Sequence, residues 1–321
     1  MKILIAPLNW GLGHATRCIP LVQHYLDQGD EVVLCGDGDS LLRLRQAFPA
    51  LRFIPLAPLA IRYSRSDSQV GALLRALPHV IRAARNDRRL LEQFYADEGF
   101  DMIVSDNRFG LFSPKSRGSV RQIYMTHQLY VRLPRFWRWA EGIAYRLHRL
   151  VWQRFDEVWV PDYAQAEHSL SGALSHSDRS VSERIRYIGP LSRLHPVSEP
   201  DTTYDTVLLL SGPEPQRTLL EQQQLAALQH QKERVLVVRG RVGEPMVRWQ
   251  HDNITLVPHL PDHQLAAFLQ GCHTIICRSG YSSVMDLAAL GVLEKAHFCP
   301  TPGQSEQEYL AAWLQSSRTA L

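Results

Sequence analysis

The stretch LNWGLGHATR, Leu8 to Arg17, sets two glycines and a histidine directly behind the apolar run ILIAP. A glycine turn that opens a helix exposes backbone N–H groups suited to phosphate. His14 adds a side chain that can move protons near neutral pH. The motif alone leaves two readings, a histidine that caps the helix and a histidine that does chemistry. It is not a dinucleotide fingerprint, because Thr16 stands where G-x-G-x-x-G needs its third glycine and only Asp37 or Asp39 offers a carboxylate at the usual remove. That argues against an NAD-dependent oxidoreductase. No Walker sequence is present either.

A second glycine turn lies near the other end of the chain. Cys277-Arg278-Ser279-Gly280-Tyr281-Ser282-Ser283 follows the apolar run HTIIC and precedes VMDLAALG. Hydroxyls and N–H donors at a helix N-terminus suit a diphosphate. Asp286, one helical turn further on, is placed to accept hydrogen bonds from ribose hydroxyls or simply to complement the helix dipole. The loop Pro300 to Glu308 adds amide and carboxylate side chains, with Ser305 readable as an N-cap and Glu308 as its capping-box partner. In the first half, Ser105-Asp106-Asn107-Arg108 follows the run DMIV. Asp106 there either orients His14 or makes an Asx turn that ends the strand. His127, in MTHQLY, is a further candidate at a strand end.

These residues need a scaffold that gathers strand ends. Twelve short apolar runs supply it: KILIAPL, EVVLCG, RFIPL, DMIVSD, RQIYMT, EVWVPD and RIRYIG, then DTVLLLS, RVLVVRG, NITLVPH, HTIICRS and KAHFCP. Stretches between them, such as ATRCIPLVQHYLDQG, carry helical apolar spacing. Strands apolar throughout imply burial on both faces, as in a parallel sheet covered by helices. The fold class is α/β, with Rossmann-like units. At 321 residues the chain is long for one core. The polar, proline-bearing segment from Leu194 to Asp205 separates the two strand series, giving an N-terminal domain at 1–195, a linker at 196–204 and a C-terminal domain at 205–321. Two such domains would leave a cleft facing the strand C-termini.

Composition narrows the function classes. Hydrophobic content of 45% and charged content of 21% are those of a soluble globular protein. The net charge of +3 is too mild to point to nucleic acid, but it is unevenly spread: 26 Lys/Arg against 19 Asp/Glu up to residue 195, and 9 against 13 beyond. Five cysteines with no C-x-x-C pair disfavour disulfide and zinc scaffolds and fit a reducing cytoplasm. The first strand is too short, and wrongly flanked, for a signal peptide. No run approaches the roughly 18 apolar residues of a membrane span.

Taken together, these motifs resemble the nucleotide-sugar glycosyltransferases of the two-Rossmann GT-B type, close to glycosyltransferase family 28 and the MurG-like UDP-N-acetylglucosaminyltransferases. The resemblance runs from Met1 to about Leu314. It implies that Gly11, Gly13 and His14 lie on the acceptor side, with His14 as general base or acceptor-positioning residue. Ser105-Asp106-Asn107-Arg108 does not match the MurG branch, and Asp106 as the partner of His14 resembles instead the His–Asp pairs of related transferases. It likewise implies donor binding by Arg278, Ser279, Gly280, Tyr281, Ser282 and Ser283. Asp286 falls where the family places a glutamate on the ribose. Ser211 and Gly212 fall near the donor phosphates, Arg193 at a diphosphate-contacting arginine, and Gln304, Glu306 and Gln307 where sugar hydroxyls are read. Pro213 and Pro215 replace small residues of the MurG branch and remove N–H donors. GT-B chains ordinarily continue into a helix that crosses back to the first domain, so the end after EQEYLAAWLQ reads as short.

The resemblance implies an inverting transferase that moves a hexosamine, N-acetylglucosamine first among the candidates, from a UDP-sugar to an acceptor hydroxyl. The donor motifs hold no D-x-D carboxylate pair, so no metal and no cofactor besides the donor substrate is expected. The acceptor is a glycan or a lipid-linked molecule. Tyr130 to Phe155 mixes six arginines with aromatics around one acidic residue, which suits peripheral contact with the inner face of an anionic membrane or a packed helix with arginines at its rim. Two alternatives keep the fold: a nucleotide-sugar binding protein with little turnover, and a UDP-sugar 2-epimerase, which would want more carboxylates near the glycine loops.

Overall fold

The computed structural model describes residues 1–9, 12–58, 69–177, 182–241 and 244–319. The chain divides into two compact units, Met1–Leu191 and Ser192–Leu321.

The first unit carries strands β1 (Lys2–Pro7), β2 (Glu31–Gly36), β3 (Arg52–Pro55), β4 (Met102–Asp106), β5 (Arg121–Met125), β6 (Glu157–Val160) and β7 (Ile185–Tyr187). Its helices are α1 (Gly13–Asp27), α2 (Gly38–Ala47), α3 (Gln69–Glu98) and α4 (Glu141–Trp152). The strands form one parallel sheet in the order β3-β2-β1-β4-β5-β6-β7. Alternation along β1 shows why both faces must be covered. Ile3 and Ile5 enter one buried cluster with Ala15, Cys18 and Val22 of α1, whereas Leu4 and Ala6 enter another with Leu91 of α3. Every one of these side chains is buried, and each large aliphatic one contributes about 1.5–3 kcal/mol of transfer free energy. Helix α1 buries Ala15, Cys18, Leu21, Val22 and Tyr25 at helical spacing. It ends at Gly29, whose φ of +78° a side chain would resist.

The second unit holds β8 (Thr206–Leu209), β9 (Val235–Val238), β10 (Trp249–His251), β11 (Ile254–Val257), β12 (Thr274–Cys277) and β13 (Ala296–Phe298). With them are α5 (Gln216–Leu228), α6 (Asp262–Gly271), α7 (Tyr281–Ala289) and α8 (Ser305–Thr319). The sheet order is β10-β11-β9-β8-β12-β13, parallel except where β10 pairs with β11. Strand β10 had no counterpart among the apolar runs of the sequence. It is a short edge strand with Trp249 exposed, joined to β11 through Asp252 at φ +49° and Asn253. The Asn253 amide donates to the carbonyls of Leu228, Gln231 and Glu233 and so pins that hairpin.

The segment 196–204, read from the sequence as a linker, packs on the second unit. Tyr204 is buried in its core beside Leu194, and Val197 packs against the same cluster. The Asp201 amide donates to Ala267 of α6. In the first unit, the loop behind β4 rests on α3 at Gly110, where a Cβ would fall 2.4 Å from the Ala84 carbonyl oxygen. Helix backbone cannot yield that distance cheaply. Gly110→Ala is therefore expected to destabilise the chain by about 1–3 kcal/mol, measured as a lowered urea midpoint. An unchanged midpoint would show that the loop shifts freely on α3.

Candidate active site

Parallel register brings the ends of β1 and β4 together. Pro7 lies opposite Asp106, and Asp106 opposite Met125 of β5. The sheet order reverses between β1 and β4, the kind of position at which open α/β sheets bind ligands. Three expected residues meet there. His14, in the first turn of α1, sets its Nδ1 3.1 Å from Asp106 Oδ1. His127, just beyond β5, lies within reach of the same cluster through Arg17. Gly13 opens α1, and its carbonyl accepts a hydrogen bond from Thr16 Oγ1. Gly11 lies outside the described residues.

Arg17, which the sequence reading passed over, organises this group. Its Nε donates to Asp106 Oδ2 at 2.7 Å, and its Nη2 also meets Asp106 Oδ1. Nη1 lies 3.0 Å from His127 Nδ1. Since a guanidinium only donates, that His127 nitrogen must accept. The available signal was its spacing: His14 and Arg17 stand three apart and share a helix face.

Burial alone would raise the Asp106 carboxyl pKa, but the Arg17 charge, then the His14 ring, outweigh it and hold the group well below the usual carboxylate range. Burial lowers His14 from its ordinary value, with Asp106 opposing and Arg17 adding to the effect. At neutral pH the site thus contains a carboxylate, a guanidinium and a neutral imidazole. The carboxylate accepts only, so a proton on His14 Nδ1 points at Asp106 and leaves Nε2 with its lone pair. Arg17 Nη2 also lies 2.9 Å from Nδ1; a guanidinium only donates, so that contact is a hydrogen bond in the other tautomer, with Nδ1 accepting and the proton on Nε2.

The backbone supports this geometry. Asn107 takes φ +55° directly after Asp106, and its side-chain oxygen accepts from the Tyr124 hydroxyl at 3.0 Å. Arg108, fully buried, donates to Asp37 at the end of β2, to Asp87 on α3 and to the Ala57 carbonyl. The Asp106 carboxylate is bound by side chains of α1, not by its own turn.

In the second unit the expected donor residues form two groups. At the rim of β12 and β13, Arg278 donates to the carbonyls of Cys299 and Pro300 and, 2.9 Å away, of Gln216. Its Nη1 and Nη2 thereby tie its own loop to those two segments, while its buried Nε has no hydrogen-bond partner among the described residues. Ser279 Oγ donates to the Gln307 carbonyl, Gln307 Oε1 accepts from the Thr301 amide, and Gln307 Nε2 donates to Gln304. Glu306 is in the first turn of α8. Gly280 is the N-cap of α7 and offers no side-chain acceptor, with Tyr281, Ser282 and Ser283 opening the helix. The capping box expected of Ser305 and Glu308 takes another form, because Glu308 Oε1 accepts from the Gly303 amide.

The other group lies at Asp286, whose Oδ1 accepts from Ser192 Oγ at 2.6 Å. Burial raises its pKa against the influence of Arg193 and Ser192. Arg193 is ion-paired with Asp262, in the first turn of α6. Ser211 and Gly212 follow β8, with Gly212 at φ +93°. Beyond them Glu214 accepts from the Thr218 amide and hydroxyl and from Arg217. The first turn of α5 is therefore already capped by a carboxylate of its own loop.

No protein-family model matches the chain, and a comparison with curated proteins gives no match. Comparison with solved structures does. The calicheamicin glycosyltransferase CalG4 superposes with a TM-score of 0.64 at 12% identity, over 97% of this chain and 83% of that one. The fold is that of the GT-B glycosyltransferases. The spinosyn rhamnosyltransferase SpnG complexed with thymidine diphosphate gives 0.55 at 13% identity, over 99% and 92%. MurG of Acinetobacter baumannii gives 0.54 at 12%, over 99% and 83%. The likeness in fold to MurG is thus no stronger than that to CalG4 or SpnG.

The buried Arg17–Asp106 pair makes a stability prediction. Arg17→Met strands a buried carboxylate and is expected to cost about 3–5 kcal/mol, read by denaturant unfolding. A cost below about 1 kcal/mol would mean that water reaches and compensates Asp106.

Proposed function

We propose that the chain transfers a sugar from a nucleoside-diphosphate donor to an acceptor hydroxyl, with inversion at the anomeric carbon and His14 as general base. The contact between His14 and Asp106 carries this reading. The neutral imidazole takes the acceptor proton at Nε2 while Nδ1–H stays bonded to Asp106, whose negative charge stabilises the imidazolium as it forms. The acceptor oxygen bonds to the anomeric carbon as the bond from that carbon to the diphosphate oxygen breaks, and the nucleoside diphosphate leaves with the electron pair. His127 and Gly13 border the acceptor side.

Donor binding falls to the second unit. The N-terminus of α7 from Gly280 to Ser283 and the Ser211–Gly212 turn offer backbone N–H groups to the diphosphate. Asp286 suits the ribose, and Gln304, Glu306 and Gln307 suit the sugar hydroxyls. Arg278 holds these loops in place. The reading of a nucleoside diphosphate draws support from the SpnG neighbour, a complex with thymidine diphosphate. UDP-N-acetylglucosamine is the first donor to try, and the acceptor is a glycan or lipid-linked hydroxyl. The reaction needs no metal in this scheme.

His14→Ala is expected to lower kcat by about 100-fold or more while leaving nucleotide affinity nearly unchanged, measured by nucleotide release and calorimetric titration. Equal loss of both would remove His14 from catalysis. Asp286→Ala should weaken UDP or thymidine diphosphate binding and spare the fold; nucleotide binding with no turnover on any acceptor would favour a binding protein.

The pH profile supplies an independent check. The base must be neutral, and burial lowers the His14 pKa, so activity is lost as pH falls through a value below the ordinary ~6.5. The acid limb of kcat/KM is expected below pH ~6.5 in the wild type and lower still in Asp106→Asn, which no longer stabilises the imidazolium. A limb above that value would identify a different base.

A further inference from the structure

Among the described residues, the largest run of exposed apolar side chains lies on the turn Arg135–Ala140 and on α4. Phe136 is 89% exposed and Trp139 73%, and Trp137 stacks on Trp139. Ile143, Leu147 and Leu150 continue the run, each more than half exposed. At about 100° per residue, these last three fall within roughly 60° of one another on α4. Glu141, Tyr145 and Trp152, all buried, fall on the opposite side. The helix therefore has two apolar faces, and only one is used by the fold.

The charges on this segment are one-sided. Arg135, Arg138, Arg146 and Arg149 are all exposed, and no ion pair joins any of them to a carboxylate among the described residues. The segment's single acidic residue, Glu141, is turned inward, accepting from Tyr130, Arg132 and the Leu133 amide. Tryptophan and phenylalanine flanked by guanidinium groups, with no outward carboxylate, match the headgroup region of an anionic bilayer. A second copy of the chain fits poorly, since a two-fold contact through this face would set arginines against arginines. No helix among the described residues is long and apolar enough to cross a membrane, so the contact is with a surface.

We propose that the face formed by Phe136, Trp137, Trp139, Ile143, Leu147 and Leu150 docks the first unit on an anionic phospholipid membrane. The aromatic and aliphatic side chains enter the headgroup boundary, and the four arginines hold the lipid phosphates. This surface stands independently of the sugar-transfer reading.

Flotation of the full chain with vesicles tests it. Phosphatidylcholine vesicles containing phosphatidylglycerol are expected to bind at least about tenfold more protein than phosphatidylcholine alone, with binding falling as salt rises. Phe136→Ser with Trp139→Ser should abolish most of that binding with thermal unfolding unchanged. Neutralising Arg138, Arg146 and Arg149 to glutamine should reduce it by about fivefold per charge. Three results overturn the proposal: no preference for the anionic vesicles, binding that survives both sets of substitutions, or a dimer by light scattering that the Phe136 and Trp139 substitutions disperse.

Discussion

A carboxylate buried at the end of β4 stays charged only if a cation or a sufficient set of hydrogen-bond donors is buried with it. Asp106 meets that condition through Arg17, reached from α1 across the β1–β4 pair. Taking both ions out of water is costly, and the cost is offset only when the remaining hydrogen-bonding positions are filled. His14 fills one on the carboxylate, and His127 one on the guanidinium. The position of α1 over the sheet, the left-handed turn at Asn107 and the packing of Gly110 on α3 all keep that pair assembled. The neutrality of His14 follows from the same burial.

The fold was legible because its strands are apolar on both faces. Runs such as KILIAP and TVLL alternate between two buried clusters, leaving no polar face to mark an outside. Glycine turns behind β1 and β12 marked the rims where ligands collect in α/β sheets. Strand β10 escaped because it is three residues long, sits at an edge and depends on the Asn253 side chain more than on its own apolarity. Leu194, Val197 and Tyr204 escaped for a related reason: isolated apolar residues among prolines and acids carry no period, and only the assembled core reveals that they are packed.

The candidate site was legible in part. His14 stood out by type and place, and Asp106 by its position at a strand end. Arg17 did not, because an arginine one turn into a helix ordinarily faces water, and its burial depends on a carboxylate 89 positions away. Glu214 was hidden likewise. The prolines of SGPEPQR suggested lost N–H donors, whereas the structure shows the Thr218 amide and hydroxyl, in the first turn of α5, bonded to the Glu214 carboxylate.

Arg278, in the loop behind β12, joins three carbonyls from two other loops: Cys299 and Pro300 behind β13, and Gln216 at the start of α5. Each loop is thereby denied independent movement. A sequence change that reshapes one of them must return its carbonyl to the same guanidinium or displace the other two. Over evolutionary time such a rim diverges as a set, so altered ligand preference would call for concerted substitutions in all three loops, not piecemeal ones.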